Sequence, residues 1–221
     1  MSEVEDSARE RREERKAESR RRILESARDV FFRDGFMEAN LDEVAQKAGV
    51  AKGTLYRYFD SKAELYVAVL ADNAEIFEQR MREVVDTPGC PPPELIRRLG
   101  RFYFAHWMRN PDYFQIFWAI ENQSVIGELP DGVTAEVTRL WEKCVGMLAE
   151  VIQRGVAEGD FAPCDAWEVA DILWTLTNGL IQTQGSAARR KLRRRPLEDT
   201  FTDAVELVLR GLPGERTTPR G

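Results

Sequence analysis

The apolar residues of this chain recur every three or four positions along almost the whole sequence. In residues 19–36, for example, Ile23, Ala27, Val30 and Phe31 fall on one helical face. This spacing matches the 3.6-residue period of an amphipathic α-helix, and no segment alternates apolar and polar residues as a half-buried strand does. The sequence therefore predicts an all-α protein. Its 221 residues suffice for one ordinary domain or two small ones.

Glycine and capping residues divide the N-terminal part of this pattern into helices. Gly35 is predicted to end the first helix. Asn40 is placed to cap a second helix with Glu43 as its capping-box partner, and Ser61 to cap a long fourth helix over 61–85. A proline-rich break at 86–94 follows. Later helices are predicted over 95–110, 112–123, 133–159, 166–185 and 197–212, with a loop at 127–132.

The segment "VAKGTLYRYF", residues 50–59, combines aromatic and basic residues with a glycine. Two short helices, "LDEVAQKAG" and "KGTLYRYF", are joined here by "GVA", which is the spacing of a helix-turn-helix. At 100° per residue, Leu55 and Phe59 share a face that can pack inward, whereas Tyr56 and Arg57 point away from it. The alternative interpretation is a plain helical corner whose tyrosines fill the core.

A helix-turn-helix of this kind would present specific groups to DNA. Lys52 and Thr54 lie at the N-terminal end of the second helix, where recognition helices meet base edges. Gly53 permits a close backbone approach, and Arg57 can bind guanine or phosphate. Lys62 begins the next helix, where it can hold the DNA backbone.

The run "AGVAKGTLYRYFDSKAEL" and its surroundings, residues 21–70, resemble the DNA-binding domain of the TetR family of bacterial transcriptional repressors. The resemblance implies an all-helical homodimer that binds double-stranded operator DNA and carries an effector pocket in its C-terminal half. Asn40 stands where the family often has Ser or Thr, and all three residue types can cap a helix. By similarity, the DNA-contacting positions are Asn40, Lys52, Gly53, Thr54, Tyr56, Arg57, Tyr58 and Lys62.

These inferences divide the chain into a three-helix DNA-binding domain and a larger helical domain for ligand binding and dimerisation. The N-terminal residues either extend the first helix or form a solvated charged arm. The predicted divisions are the charged arm 1–18, the helix-turn-helix domain 19–65, the ligand-binding and dimerisation domain 66–212, and a disordered tail 213–221.

Aromatic residues concentrate in the C-terminal half, where they fit an apolar pocket with few polar groups or a well-filled helical core. The single histidine cannot build a histidine metal cluster. We expect neither a metal nor a cofactor. We expect a small hydrophobic or aromatic effector that releases the protein from DNA. Its candidate contacts are Phe102, Tyr103, His106, Trp107, Phe114, Phe117, Trp118, Trp174 and Asn178.

The last two predicted helices have broad apolar faces, which indicate either a dimer interface or internal packing. The resemblance favours the interface. Its candidate residues are Ile172, Leu176, Gly179, Leu180, Phe201, Val205 and Val208.

Charge and targeting signals complete the prediction. Residues 1–62 carry 14 basic and 14 acidic side chains, so this region can bind nucleic acid if its basic groups cluster. The run Arg189 to Arg195 is either a solvated loop or a docking site for an anionic partner.

The N-terminus lacks the apolar stretch of a signal peptide, and no apolar run could span a membrane. We therefore expect a cytoplasmic protein whose three cysteines are reduced.

Two other function classes remain open from the sequence. A helical-bundle enzyme with an N-terminal appendage is disfavoured because the chain has no Glu-x-x-His pair and no glycine-rich phosphate motif. We expect no enzymatic activity. A helical module that binds another protein is the third interpretation.

Overall fold

The computed structural model describes residues 2–121 and 129–214, with side chains from residue 7 onward. Within these ranges the only pairing of extended backbone is an isolated bridge between Phe161 and Pro213. The helices are α1 (Ser2–Glu38), α2 (Leu41–Lys47), α3 (Lys52–Leu55), α4 (Lys62–Asp72), α5 (Ala74–Val85), α6 (Pro92–Arg109), α7 (Pro111–Glu121), α8 (Asp131–Glu158), α9 (Ala166–Gln182), α10 (Ala187–Leu192) and α11 (Leu197–Arg210). The all-α prediction is confirmed.

The first helix is longer than its apolar pattern alone indicates. It begins at Ser2, so the charged N-terminal residues are part of the helix and do not form a separate arm. Charged side chains one turn apart support it, as where Arg21 bonds Glu18 and Glu25 at 2.7 Å each. The helical backbone breaks at Gly35, where φ is +71°, as the sequence predicts.

The predicted fourth helix over 61–85 is wrong, because it is two helices. α4 ends at Asp72, and the backbone N–H of Asn73 bonds back to Leu70, three residues earlier, at 3.2 Å. α5 then begins at Ala74. Asp and Asn compete with the helical backbone through their own short polar side chains, so this pair is a weak point in an otherwise apolar helix.

The chain forms two compact units. The first contains Met1–Ala74 with Asp112–Val137, and the second contains Glu75–Pro111 with Thr138–Gly221. In the first unit, α1 packs on α2 and α4, and α2 packs on α3. The core of this unit includes the fully buried side chains of Ile23, Val30, Val44, Leu55 and Leu65.

The second unit is built around α6, α9 and α11, which pack on one another. Phe104 and Phe201 stack with ring centroids 4.6 Å apart. No residue with a side chain could replace Gly155, because a Cβ at this position would lie 2.2 Å from the Phe161 ring.

The predicted disordered tail begins with two residues that the structure holds in place. Gly214 is buried, and its N–H bonds to the carbonyl of Asp160 at 3.1 Å. Residues 215–221 of that prediction lie outside the described residues, as does part of the predicted loop 127–132. The cysteines Cys90, Cys144 and Cys164 are free thiols. No helix in the described ranges has the length and hydrophobicity needed to cross a bilayer.

Candidate DNA-binding surface and effector cavity

Asn40 and Gly49 set the geometry of the helix-turn-helix. Asn40 has an extended backbone, and its Oδ1 accepts the backbone N–H of Asp42 at 2.8 Å, which caps α2. Gly49 follows α2 with φ of +66°, a conformation that favours glycine. The predicted capping-box partner of Asn40, Glu43, instead pairs with Arg33, whose Nη2 lies 2.8 Å from Oε2.

The recognition segment, residues 52–59, extends beyond the short helix α3. Backbone hydrogen bonds continue through it: Tyr56 N–H bonds to Lys52, and Phe59 N–H bonds to Leu55 at 3.1 Å. Leu55 is 0% exposed and Phe59 3% exposed, so both anchor the segment in the core, as their spacing predicts.

The opposite face of the recognition segment is open. Lys52, Gly53, Tyr56 and Arg57 are exposed, with Tyr56 at 42%, and Thr54 and Tyr58 are half-buried. A Cβ placed on Gly53 would meet no atom within 4 Å. The protein's own packing therefore does not require a glycine here, and an approaching partner would explain it.

Lys52 is paired within this surface. Its Nζ lies 2.6 Å from Oδ1 of Asp42, and both side chains are exposed. The hydrogen bond to that carboxylate raises the pKa of Lys52, so the ammonium remains charged. Exposed pairs of this kind contribute little stability, so the lysine can exchange Asp42 for a phosphate at small cost.

Lys62 makes a contact within the protein, in addition to the DNA contact that is predicted for it. Its Nζ donates to the carbonyl of Met37 at 3.0 Å and lies 5.0 Å from the Phe36 ring centroid. Partial burial lowers the pKa of Lys62. The lysine thus binds a carbonyl at the end of α1 just after the Gly35 break, and contact with DNA stays a prediction.

The second unit contains a small, mainly apolar cavity of about 40 Å³. Its lining comes from five helices: Met81 from α5; Ile96, Leu99, Gly100 and Tyr103 from α6; Cys144 and Leu148 from α8; Leu173, Trp174 and Thr177 from α9; and Val205 from α11. A cavity of this volume holds a few waters at most, whereas sites for drug-sized ligands have ~300–1,000 Å³.

Three of the predicted effector contacts are at or next to this cavity. Tyr103 and Trp174 line it, with ring centroids 5.2 Å apart. The Tyr103 hydroxyl donates to Oδ1 of the buried Asn178 at 2.9 Å, and Nδ2 of Asn178 has no hydrogen-bond partner within the described chain.

The other predicted contacts lie in two separate clusters. Phe102, His106 and Trp107 surround Phe77, with the His106 and Phe77 centroids 4.6 Å apart. Burial lowers the pKa of His106, and Arg80 adds to this effect. The remaining predicted contacts pack in the first unit and do not line the cavity: Phe114, Phe117 and Trp118.

Of the predicted effector contacts only Tyr103 and Trp174 line the cavity, because aromatic residues were chosen and most of the lining is not aromatic. Ile96, Leu99, Gly100 and Tyr103 recur at i, i+3, i+4 and i+7 on α6, which marks a buried face. A glycine on that face was the available signal, since it marks a close approach: a Cβ on Gly100 would lie 3.0 Å from the Phe201 ring.

The predicted dimer residues separate into an outward set and an inward set. On α9, Ile172 is 49% exposed, Gly179 is exposed, and Leu176 and Leu180 are half-buried. Val208 on α11 is also half-buried. The four α9 residues lie on one helical face and form an outward apolar stripe, and the place of all five residues in a dimer interface stays a prediction.

Phe201 and Val205 do not belong to that stripe. They are 2% and 5% exposed within a single chain, because Phe201 stacks on Phe104 and Val205 lines the cavity. Leu207, which the prediction omitted, is 68% exposed on the outward side of α11.

Three arginines of the basic run 189–195 bond to residues of the same chain. Arg190 and Arg193 bond to Gln184, and Arg195 bonds to Asp203 at 2.5 Å. Leu192 is 73% exposed. No set of side chains in the described ranges has the composition of a metal site.

Comparison with known proteins places this geometry in a family. Residues 23–69 match the family model described as bacterial regulatory proteins, tetR family. The chain is 35% identical over 137 residues to the HTH-type transcriptional activator FasR of Mycolicibacterium smegmatis, covering 62% of this chain and 60% of FasR. It is 26% identical over 226 residues to the HTH-type transcriptional regulator TtgR of Pseudomonas putida, covering 95% of this chain and 97% of TtgR.

Two further comparisons mark how far the similarity extends. The match to the regulator SrpR of Pseudomonas putida covers 29% of that relative, so the first relatives, FasR included, are matched over less than two thirds of their length. The solved structure of the transcriptional regulator FadR from Bacillus subtilis, in complex with stearoyl-CoA, superposes with a TM-score of 0.67. It is 17% identical and covers 86% of this chain and 97% of that one. At that identity the likeness supports the fold alone.

Proposed function

Because this chain belongs to the TetR family of bacterial regulatory proteins, we propose that it is a ligand-responsive, DNA-binding transcriptional repressor. The observation that carries the proposal is the recognition segment, residues 52–59. Two buried anchors, Leu55 and Phe59, hold it, while Lys52, Tyr56 and Arg57 project from the open face. Cationic and hydroxyl groups are the ones that bind phosphates and base edges in the major groove.

The proposed DNA contacts divide by the chemistry they can perform. Lys52 and Arg57 are charged donors for phosphate or guanine, and the Tyr56 hydroxyl is a neutral donor for phosphate. Gly53 lets the backbone approach the groove. Asn40 caps α2, whose N-terminal amides can face a phosphate. Thr54, Tyr58 and Lys62 are proposed as additional DNA contacts.

A homodimer is the assembly that we propose. Ile172, Leu176 and Leu180 follow one another at helical spacing on the outward face of α9, and Leu207 is exposed on α11. An apolar stripe of this kind is stabilised by burial against a second copy. Two recognition segments related by a two-fold axis then read half-sites ~34–36 Å apart or at a multiple of that distance.

The effector is proposed to be small and largely apolar, and to act by enlarging the cavity. The cavity of about 40 Å³ is too small for such a ligand. A ligand must therefore separate α6, α9 and α11, and α9 also carries the apolar stripe. Moving them changes the arrangement of the two protomers and hence the separation of the recognition segments. Only a ligand with different affinities for the two arrangements can shift the equilibrium.

This mechanism does not need the continuous helix that the sequence predicts over residues 61–85. Such a helix would need residues 61–85 to be unbroken, and α4 and α5 are separate. The route through the stripe needs only the packing of α6, α9 and α11 within the second unit.

The direction of control is tested by transcription. A repressor that binds chromosomal DNA acts in the cytoplasm, and it lowers expression from promoters that contain its operator. The name of FasR, an activator, supplies the competing possibility. The experiment is a gel shift with DNA flanking the gene, followed by a promoter reporter with and without the protein. Retarded DNA with reduced reporter signal supports repression, retarded DNA with increased signal supports activation, and no retardation of any flanking fragment contradicts the proposal.

A further inference from the structure

The N-terminal extension of α1 forms a basic groove together with the recognition segment. Arg12, Arg15 and Lys16 line one side of this groove, and Arg57 and Tyr58 line the other. All of these residues belong to the first unit. Positions 12, 15, 16 and 19 follow helical spacing i, i+3, i+4 and i+7, so they lie on a single face of α1.

The groove is strongly positive, although residues 1–62 as a whole carry equal numbers of basic and acidic side chains. It contains four cationic side chains and a single acid, Glu13. The hydroxyls of Ser19 and Tyr58 add neutral donors. Most of the acids of α1 lie on other faces, where Glu18, for example, binds Arg21 with its Oε1 2.7 Å from Nη2. The basic groups are thus clustered in the way that nucleic-acid binding requires.

The groove is continuous with the surface proposed to meet the operator. Arg57 and Tyr58 are members of both, so a duplex that contacts the recognition segment passes next to the extension. Residues 12–19 span ~10 Å along α1. That length of duplex axis carries about six phosphate charges on its two strands.

We propose that the extension of α1 is a second DNA-binding element, in which Arg12, Arg15 and Lys16 bind the phosphate backbone of the operator next to each half-site. This inference rests on the proposed function. Phosphates are the expected partners because long cationic side chains on one helical face, flanked by hydroxyls, match a row of anionic oxygens. Such contacts position the protein and add affinity without adding sequence information.

The test compares two double variants that each remove two arginines from α1. Arg12→Ala with Arg15→Ala removes groove residues, and Arg11→Ala with Arg21→Ala removes residues outside the groove. All four side chains are exposed, and the high helix propensity of alanine offsets the loss of the exposed pairs that Arg21 makes with Glu18 and Glu25, so both variants keep the helix. The measurements are operator affinity as a function of salt concentration and a hydroxyl-radical footprint of each complex.

The groove variant is expected to show a shallower salt dependence. Each lost phosphate contact reduces the slope of log K against log salt by ~0.9, which makes up to ~3.6 for four contacts in a dimer. Its footprint should lose backbone protection next to each half-site while the half-sites stay protected. The control variant should match the wild type in both measurements.

Three outcomes overturn the inference. Equal slopes and footprints for the two variants mean that the extension does not touch DNA. Loss of half-site protection in the groove variant means that the arginines support the recognition segment instead of a second contact. A wild-type protein that binds no operator removes the proposed function and this inference together.

Discussion

Gly53 provides a test at the scale of a single residue, because stability and DNA binding are expected to respond differently to the same substitution. A Cβ at this position meets no atom of the protein within 4 Å, and glycine is a poor helix residue. Gly53→Ala should therefore leave stability unchanged or raise it, by up to ~1 kcal/mol. It should weaken operator binding, because the added methyl group keeps the backbone from the groove. Thermal unfolding and fluorescence anisotropy measure the two effects, and unchanged affinity would contradict the close approach.

The exposed donors of the recognition segment give a second prediction. Lys52→Ala combined with Tyr56→Ala should weaken operator binding and lower the salt slope by about one for each lost phosphate contact. Folding should persist, because both side chains are exposed. Lys143→Ala, which removes an exposed lysine paired with Glu78 in the second unit, is the matched control for the charge. Normal operator affinity in the double variant would rule out the proposed docking.

His106 gives a prediction for pH. Burial lowers its pKa below the usual 6.5, with a contribution from Arg80, so the folded state binds the proton less readily than the unfolded state. Stability should therefore fall as the pH decreases below about 6.5, and this loss should be smaller in His106→Gln. Thermal unfolding at pH values from 7 to 5 measures it. Identical pH profiles for the two proteins would show that His106 titrates equally in both states.

Residue roles were predictable where they follow from local periodicity. Leu55 and Phe59 are buried as the 100° rotation per residue requires. The bond from Lys62 to Met37 was not predictable, because it joins residues 25 positions apart through a carbonyl at the end of α1. A pattern within one helix carries no information about such contacts.

At the scale of elements, the apolar face of α11 shows what a pattern leaves undecided. The face is broad enough to serve two surfaces, and spacing alone does not assign its halves. In the structure, Phe201 and Val205 face the core, Val208 is half-buried on the same side as Phe201, and Leu207 faces outward. Other helices determine which residues of this face are buried. Phe201, for example, is covered by α6, because Phe104 stacks on it.

This division predicts different results for two substitutions on α11. Leu207→Glu should dissociate the dimer without unfolding the protomer, because the carboxylate would be buried only in the interface. Val205→Glu should instead destabilise the protomer, since Val205 is 5% exposed and lines the cavity. Leu192→Glu is the control, because Leu192 is equally exposed but lies on α10. Sedimentation velocity and thermal unfolding separate these outcomes, and a Leu207→Glu protein that remains dimeric would exclude this side of α11 from the interface.

At the scale of the whole molecule, the sequence predicted the fold class and the helix-turn-helix but not the state of the cavity. Helix periods and caps are local, whereas a cavity depends on how Gly100, Thr177 and their neighbours on other helices fill the space between them. The same limit applies to the interruption at Asn73 of the long helix predicted over 61–85. The revised mechanism therefore relies on packing within the second unit.

Operator-specific binding and its control by a ligand can be measured together by titrating labelled operator DNA with the wild-type protein at physiological salt. The titration is then repeated with an apolar ligand that changes the tryptophan fluorescence of the protein. We predict that the protein binds this DNA at least ~10³-fold more tightly than random DNA of equal length. The ligand should weaken operator binding by roughly 5- to 150-fold, the range that 1–3 kcal/mol of coupling gives. Equal affinity for operator and random DNA would contradict the claim that this protein is an operator-specific regulator. Operator affinity that no such ligand changes would contradict the claim that the cavity controls it.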